Sequence, residues 1–312
     1  MTSKIRSILH LLRVRQYYKN VLIFVSVFFS YKIFHHTLWF PLFLGFILLC
    51  CASTFNYIIN DIIDIEFDKK HPEKMQKKPL ASGELPIYFA ILLLVIIVAI
   101  MVFSIIYLIP NIGFLIMLIL VILTGQFYNH FFKNYAFIDI LVLSTGYLWR
   151  ALAGVVIIND IISPWLFLAI FEIAMFLSIA KRRGDLLYLG EEIAMEHKKV
   201  YDQYSVKLLD QFHVIIAASL FMTYSLYLIN KFFLKDGEVI VPELPVFIVI
   251  FTIPISLYII MRFMYLTSSK PEIARRTEKV FFDKGIIISG LFLFIILFTA
   301  FYYEIIIGLI GG

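Results

Sequence analysis

Long apolar runs separated by short polar segments dominate the hydrophobic pattern of this chain. Each run has roughly 20 residues, the length that a helix needs to cross a hydrocarbon layer about 30 Å thick. The pattern therefore predicts an all-α polytopic membrane protein with nine transmembrane helices. The runs fall near residues 18–34, 38–60, 86–109, 111–130, 136–158, 163–181, 209–230, 244–266 and 285–309.

The composition supports this class of protein. Hydrophobic residues make up 62% of the chain and charged residues 16%, against about 25% charged in soluble domains. The longest polar insertions, 64–85, 182–207 and 267–284, are too short for a soluble domain. We therefore expect one domain, residues 1–312, in the lipid bilayer. No nucleic-acid partner is expected, and a homo-oligomer is left open.

Lysine and arginine fall almost entirely on one side of the predicted helices. With the N-terminus placed inside, 23 of the 27 lie in inner segments, and three, Lys32, Lys231 and Lys235, lie in outer ones. Cytoplasmic loops carry such an excess. The sequence thus predicts a cytoplasmic N-terminus and an external C-terminus. Topology explains much of this bias, and binding of an anionic lipid or substrate is the second explanation.

Three aspartates crowd the end of the second predicted span, in NYIINDIIDIEFDKKHPEK at 56–74. On a helix, Asn60, Asp64 and Asp68 share one face, and Asp61 lies beside Asn60. Carboxylates this close repel one another unless a cation or basic partner compensates them. Their oxygens suit Mg²⁺, which is often bound by carboxylates together with substrate phosphates. The alternative is a helix end whose aspartates are solvated.

A basic loop follows the aspartates and contains His71, Lys74, Lys77 and Lys78. Cations beside metal-binding carboxylates suggest a site for a diphosphate ester, in which the carboxylates hold the metal and the cations bind phosphate oxygens. A lysine-rich inner loop is also what topology alone requires.

Arg150 lies within the fifth predicted span, about three turns from its inner end. An unpaired charge at this depth is costly. We therefore expect either a partner such as Asp139 or an anionic ligand. A structural ion pair and a substrate contact remain equally open at this stage.

The motif Asn60-Asp61-x-x-Asp64-x-x-x-Asp68, followed by His-Pro-x-Lys and Pro-x-Ala-Ser-Gly, resembles the first motif of the UbiA intramembrane prenyltransferase superfamily. The resemblance implies a UbiA-type helix bundle with its active site on the cytoplasmic side. Within the superfamily, the chain is most similar to the decaprenyl-phosphate phosphoribosyltransferase branch. Segments similar to that branch include RVRQYYKN at 13–20, LWRALAG at 148–154 and AKRRGD at 180–185.

One difference between this sequence and the classical prenyltransferases helps to distinguish two classes of substrate. Those enzymes carry a second aspartate-rich motif after the sixth helix, where this chain reads KRRGD at 181–185. Cations suit a phosphate group there better than a second metal. The resemblance therefore favours phosphoribosyl pyrophosphate and a polyprenyl phosphate as the two substrates.

The resemblance also implies roles for individual residues in a Mg²⁺-dependent transfer of 5-phosphoribose. Asp61, Asp64 and Asp68 would hold Mg²⁺, and Asn60 would join Asp61 and Asp64 as a catalytic group. The expected substrate-binding residues are Lys19, Asn20, Asp68, His71, Lys74, Lys78, Tyr128, Lys133, Asp139, Arg150, Lys181, Arg182 and Asp185. Two other functions remain open: a prenyltransferase acting on an aromatic acceptor, and an anion or lipid-phosphate transporter.

Overall fold

The described part of the chain is built almost entirely from helices. The computed structural model describes residues 2–69, 75, 78–161, 163–190, 199–235, 238–241, 243–269, 273 and 277–310. The α-helices are α1 (Thr2–Leu11), α2 (Val25–Phe29), α3 (Trp39–Ile63), α4 (Ile65–Lys69), α5 (Ile87–Tyr107), α6 (Ile112–His130), α7 (Ile138–Ile157), α8 (Pro164–Leu189), α9 (Val206–Phe232), α10 (Leu244–Phe247), α11 (Thr252–Ser269) and α12 (Lys284–Ile310).

Shorter elements complete the described structure. A two-stranded antiparallel hairpin pairs β1 (Leu234–Lys235) with β2 (Glu238–Val239), and Leu234 lies opposite Val239. The 3-10 helices are Val14–Phe24, His36–Leu38, Phe132–Asn134, Lys199–Gln203, Ile248–Phe251 and Thr277–Phe282.

Eight helices of the described residues are long and apolar enough to cross a membrane. They match the second to ninth predicted spans, and the predicted all-α class is confirmed. The first predicted span, 18–34, differs, because the 3-10 helix Val14–Phe24 is followed there by the short helix α2. In this segment Tyr17 hydrogen-bonds Thr54 at 2.9 Å, and Asn20 donates to the Cys50 sulfur at 3.2 Å. The count of nine spans stays a prediction.

The outward surfaces of these helices are apolar. Large exposed side chains include Val95 on α5, Ile112 on α6 and Phe292 on α12. A soluble protein rarely exposes so much apolar surface, whereas lipid tails solvate it. The chain is therefore an integral membrane protein.

The chain forms two compact units, and helix α7 contributes residues to both. Unit 1 comprises Met1–Phe132 and Thr145–Ile162, and unit 2 comprises Lys133–Ser144 and Ser163–Gly312. The expectation of a single domain over 1–312 stays a prediction.

Helix α3 is the centre of unit 1, because it packs against α5, α6 and the 3-10 helix Val14–Phe24. Its buried Leu48 and Leu49 join Phe114 and Leu118 of α6 in the core. Buried polar contacts add to this packing. Asn56 donates to the carbonyl oxygen of Val121 at 3.2 Å and accepts from Gln126 at 2.7 Å. These contacts fix the inner half of α3, where the aspartates follow.

Helices α8 and α9 form the main packed pair of unit 2. Phe176 and Ala180 of α8 share a core with Leu220 of α9. Between the same helices, Ser219 donates a hydrogen bond to one carboxyl oxygen of the buried Glu172. The second oxygen of Glu172 has no hydrogen-bond partner among the described residues. A polar contact of this kind links helices within a membrane.

Gly154 on α7 lies where two backbones of unit 1 approach each other closely. A Cβ at this position would overlap the backbone oxygen of Ile23 and lie 2.6 Å from the hydroxyl oxygen of Ser26. Only glycine leaves room for the 3-10 helix to lie directly against α7.

Gly154→Ala is therefore expected to lower the thermal unfolding midpoint of the purified protein in detergent, at a cost of about 1–3 kcal/mol for overpacking. Gly290→Ala is the matched control, because no atom lies within 4 Å of a Cβ built at Gly290. The control should be neutral or slightly stabilising. An unchanged midpoint in Gly154→Ala would contradict the close approach.

Candidate active site

Several of the predicted site residues that the structure describes meet in polar clusters within unit 1 or unit 2. In unit 1, Asp61, Asp68 and Lys78 meet near the end of α3, and Asn20 and Arg150 meet deeper in the bundle. In unit 2, Asp139 meets Arg182. His71 and Lys74 lie outside the described residues, so their predicted roles stay predictions.

Asp61 and Asp68 are the buried carboxylates of the first cluster. Their side chains are only 3% and 2% exposed. The Lys78 ammonium lies 3.1 Å from Asp61 Oδ1 and contacts Asp68 Oδ2 more closely still. Asp61 and Asp68 lie seven positions apart, about two helical turns. These two buried carboxylates thus share one ammonium.

Arg13 is the second cation at Asp61. Its guanidinium lies 2.7 Å from Asp61 Oδ1 and 4.6 Å from the ring centroid of Tyr57. The backbone of Arg13 is left-handed (φ 50°), where the chain turns from α1 into the 3-10 helix. The sequence placed Arg13 in the RVRQYYKN segment, but Arg13 was not among the expected site residues. The available signal was its position as the first residue of the RVRQYYKN segment.

Asp64 lies at the break between α3 and α4. Its backbone amide still bonds the Asn60 carbonyl at 3.0 Å, and its own carbonyl accepts from the Asp68 amide at 2.8 Å. Backbone hydrogen bonds between residues four apart thus continue through the break, from Asn60 to Asp64 and from Asp64 to Asp68. Asp64 is half-buried. No described side chain forms a hydrogen bond or ion pair with its carboxylate.

The chemistry of these donors fits Mg²⁺, since all three are carboxylates. Within the described ranges, no three His, Cys, Asp or Glu residues are arranged as a ready-made metal site. Instead the Lys78 ammonium stands between Asp61 and Asp68 and supplies part of the compensating charge. The residues therefore fit a hard cation by type, and Lys78 is the group that such an ion would meet.

Arg150 has neutral partners in unit 1. It donates to Asn20 Oδ1 at 2.7 Å, to the carbonyl oxygen of Gly146, and to the Ser53 hydroxyl at 3.4 Å. The suggested partner Asp139 pairs with Arg182 instead. An anionic ligand, the other expectation for Arg150, stays open.

Lys19 and Tyr128 are two more predicted site residues of unit 1. Lys19 is partly exposed, and its ammonium lies 5.9 Å from the ring centroid of Tyr18. Tyr128 is partly exposed near the end of α6. Their substrate contacts stay predictions.

Asp139 and Arg182 form a buried ion pair in unit 2. Arg182 Nε lies 2.7 Å from Asp139 Oδ2, and the two side chains are 3% and 0% exposed. The Tyr204 hydroxyl donates to Asp139 Oδ1 at 2.7 Å and accepts from the Phe137 amide at 2.6 Å. Asp139 is thus compensated at both oxygens.

Two tyrosines from the segment before α9 complete this cluster, and sequence reasoning had missed both as site residues. The Tyr201 hydroxyl donates to Asp185 at 2.6 Å, and Arg182 lies 6.0 Å from the Tyr201 ring centroid. Burial raises the pKa of both Tyr201 and Tyr204 well above that of a free phenol. At neutral pH both phenols therefore act as hydrogen-bond donors to carboxylates.

Arg182 and Arg183 of the KRRGD segment both pair with carboxylates. Arg182 pairs with Asp139, and Arg183 pairs with Asp210 of α9. Lys181 is exposed on α8, and Lys133 is partly exposed in the 3-10 helix Phe132–Asn134. The segment therefore offers less positive charge to a substrate phosphate than its sequence suggested.

Comparison with known proteins identifies the class. The UbiA prenyltransferase family matches residues 21–282, and the chain belongs to this family. The resemblance read from the sequence motifs is thus confirmed.

Among curated relatives, two proteins named decaprenyl-phosphate phosphoribosyltransferase are similar to this chain. The one from Corynebacterium glutamicum is 26% identical over 69% of this chain and 65% of its own length. The one from Mycolicibacterium smegmatis is 29% identical over 60% of this chain and 58% of its own length. The chain thus spans less than two thirds of the length of these relatives.

Two solved structures share the fold at low identity. A UbiA homolog from Archaeoglobus fulgidus bound to GPP and Mg²⁺ has a TM-score of 0.62 and 16% identity, and the match covers 95% of this chain and 99% of that chain. A digeranylgeranylglyceryl phosphate synthase has a TM-score of 0.61 and 20% identity, with coverage of 96% and 99%.

The buried Asp139–Arg182 pair makes a stability prediction. Asp139→Leu would remove the carboxylate that pairs with the buried Arg182, and breaking a buried ion pair in this way costs about 3–5 kcal/mol. We expect a large fall in the unfolding midpoint, most of it recovered in the double variant Asp139→Leu/Arg182→Leu. Lys69→Gln removes an exposed pair with Glu66 and should change little. A double variant as unstable as Asp139→Leu would contradict this account.

Proposed function

We propose that this protein transfers 5-phosphoribose from phosphoribosyl pyrophosphate to a polyprenyl phosphate of the decaprenyl type, with Mg²⁺, and releases pyrophosphate. The observation that carries the proposal is the buried carboxylate cluster of Asp61 and Asp68 beside Asp64 at the end of α3. The names of the similar curated relatives support the choice of substrates. The protein would then be a membrane-embedded phosphoribosyltransferase.

Asp61, Asp64 and Asp68 would hold the metal in this proposal. Bound Mg²⁺ would neutralise charge on the departing pyrophosphate. Asn60 links to the group through its backbone, because its carbonyl accepts the Asp64 amide. Lys78 already lies at these carboxylates, so its ammonium is within reach of a diphosphate that binds there. His71 and Lys74, from the same loop, are proposed as further phosphate ligands.

Arg150 is the deep cation of unit 1 and a candidate ligand for a phosphate. Its described partners are neutral, so its charge is available to an anion. Asn20 and Ser53 hold the guanidinium in place, and Asn20 is itself fully buried. Lys19, Tyr128, Lys133, Lys181, Arg182, Asp139 and Asp185 remain proposed contacts or supports for the two substrates.

The transfer needs little acid–base help from the protein. An oxygen of the lipid phosphate is already ionised near neutral pH, and it attacks C1 of the ribose as the C1–O bond to pyrophosphate breaks. The chain's own contribution is to position the two substrates and to stabilise negative charge on the leaving group.

We also infer that the N-terminus and the aspartate cluster face the cytoplasm and that the C-terminus lies outside. The support is the one-sided distribution of lysine and arginine, 23 against three. Phosphoribosyl pyrophosphate is water-soluble, so a cytoplasmic site gives it direct access. The bilayer supplies the lipid phosphate.

A prenyltransferase acting on an aromatic acceptor is the second candidate. One observation favours it: the chain shares its fold with a structure bound to GPP and Mg²⁺. The pairing of Arg182 and Arg183 with carboxylates also weakens the argument that KRRGD is reserved for a phosphate. Purified protein given both donor–acceptor pairs decides between the two functions, since only one pair should yield labelled product.

Asp64→Asn tests the metal role. We expect at least about a hundredfold loss of label transfer from phosphoribosyl pyrophosphate to polyprenyl phosphate, because the carboxylate with no described cation partner is neutralised. The variant should elute as a folded protein in size-exclusion chromatography.

Glu66→Gln is the matched control, since Glu66 is exposed on α4 and pairs with Lys69. It loses the same charge two residues away and should retain activity. Full Mg²⁺-dependent activity in Asp64→Asn would reject the proposed metal ligand.

A further inference from the structure

Lys78 makes an unusual contact for a residue expected to bind substrate. Its ammonium lies 3.1 Å from Asp61 Oδ1 and in close contact with Asp68 Oδ2, and both carboxylates are almost fully buried. The Lys78 side chain itself is 18% exposed. Water can therefore do little to compensate the two carboxylates, and the protein's own cations must do so.

Among the described residues, two cations balance these two carboxylates without a metal. Arg13 and Lys78 both contact Asp61 Oδ1, and Lys78 also contacts Asp68. The four formal charges cancel. A free divalent ion that entered between Asp61 and Asp68 would meet the Lys78 ammonium at the same oxygens, and the like charges would repel.

The two cations differ in how firmly they are held. The Arg13 guanidinium is packed against the Tyr57 ring. The adjoining Leu12 carbonyl accepts a hydrogen bond from Thr54 of α3 at 3.2 Å. Arg13 is therefore fastened to α3 through several groups.

Lys78 has a fixed backbone and a long side chain. Its carbonyl accepts the Ser82 amide at 3.0 Å, and Leu80 and Ala81 beside it are buried. Four methylene groups separate this anchored backbone from the ammonium. The ammonium can therefore change partners by side-chain rotation alone.

We propose that Lys78 is a resident counter-ion that competes with the metal for Asp61 and Asp68, so that the site takes up Mg²⁺ with the donor diphosphate rather than as a free ion. The diphosphate brings negative charge, and the displaced ammonium moves onto its oxygens. The inference rests on the proposed function, because it requires a diphosphate donor.

A purely structural lysine gives a different expectation. If Lys78 only fastened its loop to α3, its removal would lower stability without strengthening metal binding. If Lys78 only bound phosphate, its removal would weaken binding of the donor and leave the affinity for free metal unchanged. Competition alone predicts tighter binding of the bare metal once the lysine is removed.

The test measures Mn²⁺ binding by electron paramagnetic resonance on the full chain purified in detergent. Without phosphoribosyl pyrophosphate, Lys78→Gln should bind Mn²⁺ at least about tenfold more tightly than the wild type, since a competing charge is gone. Adding phosphoribosyl pyrophosphate should tighten Mn²⁺ binding to the wild type more than to Lys78→Gln.

Lys69→Gln is the matched control for a lost positive charge. Lys69 lies on α4, next in sequence to Asp68, but pairs with the exposed Glu66. Its affinity for Mn²⁺ should stay within about twofold of the wild type, because exposed charges are screened. If Lys69→Gln gained as much affinity for Mn²⁺ as Lys78→Gln, the gain would be a general effect of charge, and the proposal would be overturned.

Thermal unfolding of the wild type gives a second measurement that needs no variant. Mg²⁺ alone should barely raise the unfolding midpoint, whereas Mg²⁺ with phosphoribosyl pyrophosphate should raise it clearly, because only a ligand that binds the native state stabilises it. Equal stabilisation by Mg²⁺ alone would overturn the proposal even if Lys78→Gln failed to fold.

The outcomes separate this inference from the proposed function. One outcome is that the wild type binds Mn²⁺ in the presence of phosphoribosyl pyrophosphate, but that without this donor Lys78→Gln binds Mn²⁺ no more tightly than the wild type does. The counter-ion role is then rejected and the proposed function stands. If no variant binds Mn²⁺ with or without phosphoribosyl pyrophosphate, the metal-dependent function itself is rejected, and the inference with it.

Discussion

A charge inside a membrane-spanning protein is stable only where other groups compensate it, because lipid and buried apolar side chains do not. The described buried ion pairs of this protein follow that constraint. Asp61 and Asp68 are compensated by Arg13 and Lys78, and Asp139 is compensated by Arg182. The helices that carry these residues are otherwise apolar, so each polar cluster restricts how its own helices can pack.

The two clusters satisfy the constraint in different ways. In unit 2, the Asp139 carboxylate receives Arg182 at one oxygen and Tyr204 at the other, and neither partner is exposed. Such a pair is fixed, and it holds α7 and α8 in register. In unit 1, the second cation is a partly exposed lysine on a long side chain. That arrangement compensates the carboxylates and still allows the ammonium to leave, which a ligand site requires.

Sequence patterns predicted the elements that depend on local composition. Apolar run length located eight of the nine predicted spans, and the crowding of Asp61, Asp64 and Asp68 in the sequence indicated a group of carboxylates at the end of α3. They did not predict which cation meets which carboxylate. Arg150 and Asp139 share one predicted span, yet Asp139 pairs with Arg182 from the next helix, because long-range packing selects the partner.

The first predicted span shows a second limit. Hydropathy identifies residues 18–34 as apolar, but it cannot show that Tyr17 and Asn20 hydrogen-bond to α3 within a 3-10 helix. Arg13 was missed for the same reason. Its left-handed backbone and its contact with Asp61 depend on how the N-terminal segment lies against α3, and that path is set by tertiary contacts such as the Gly154 approach.

The structure also changes which cations support the choice of substrates. The cations at KRRGD suggested a sugar-phosphate donor, but Arg182 and Arg183 both pair with carboxylates. Among the described residues, Arg150 is a partly buried cation whose hydrogen-bond partners are neutral, and it lies within a candidate membrane span of unit 1. A phosphate on a membrane lipid is an anion that can reach such a depth together with its apolar chain. Arg150 therefore supports a lipid-phosphate acceptor more directly than the KRRGD segment does.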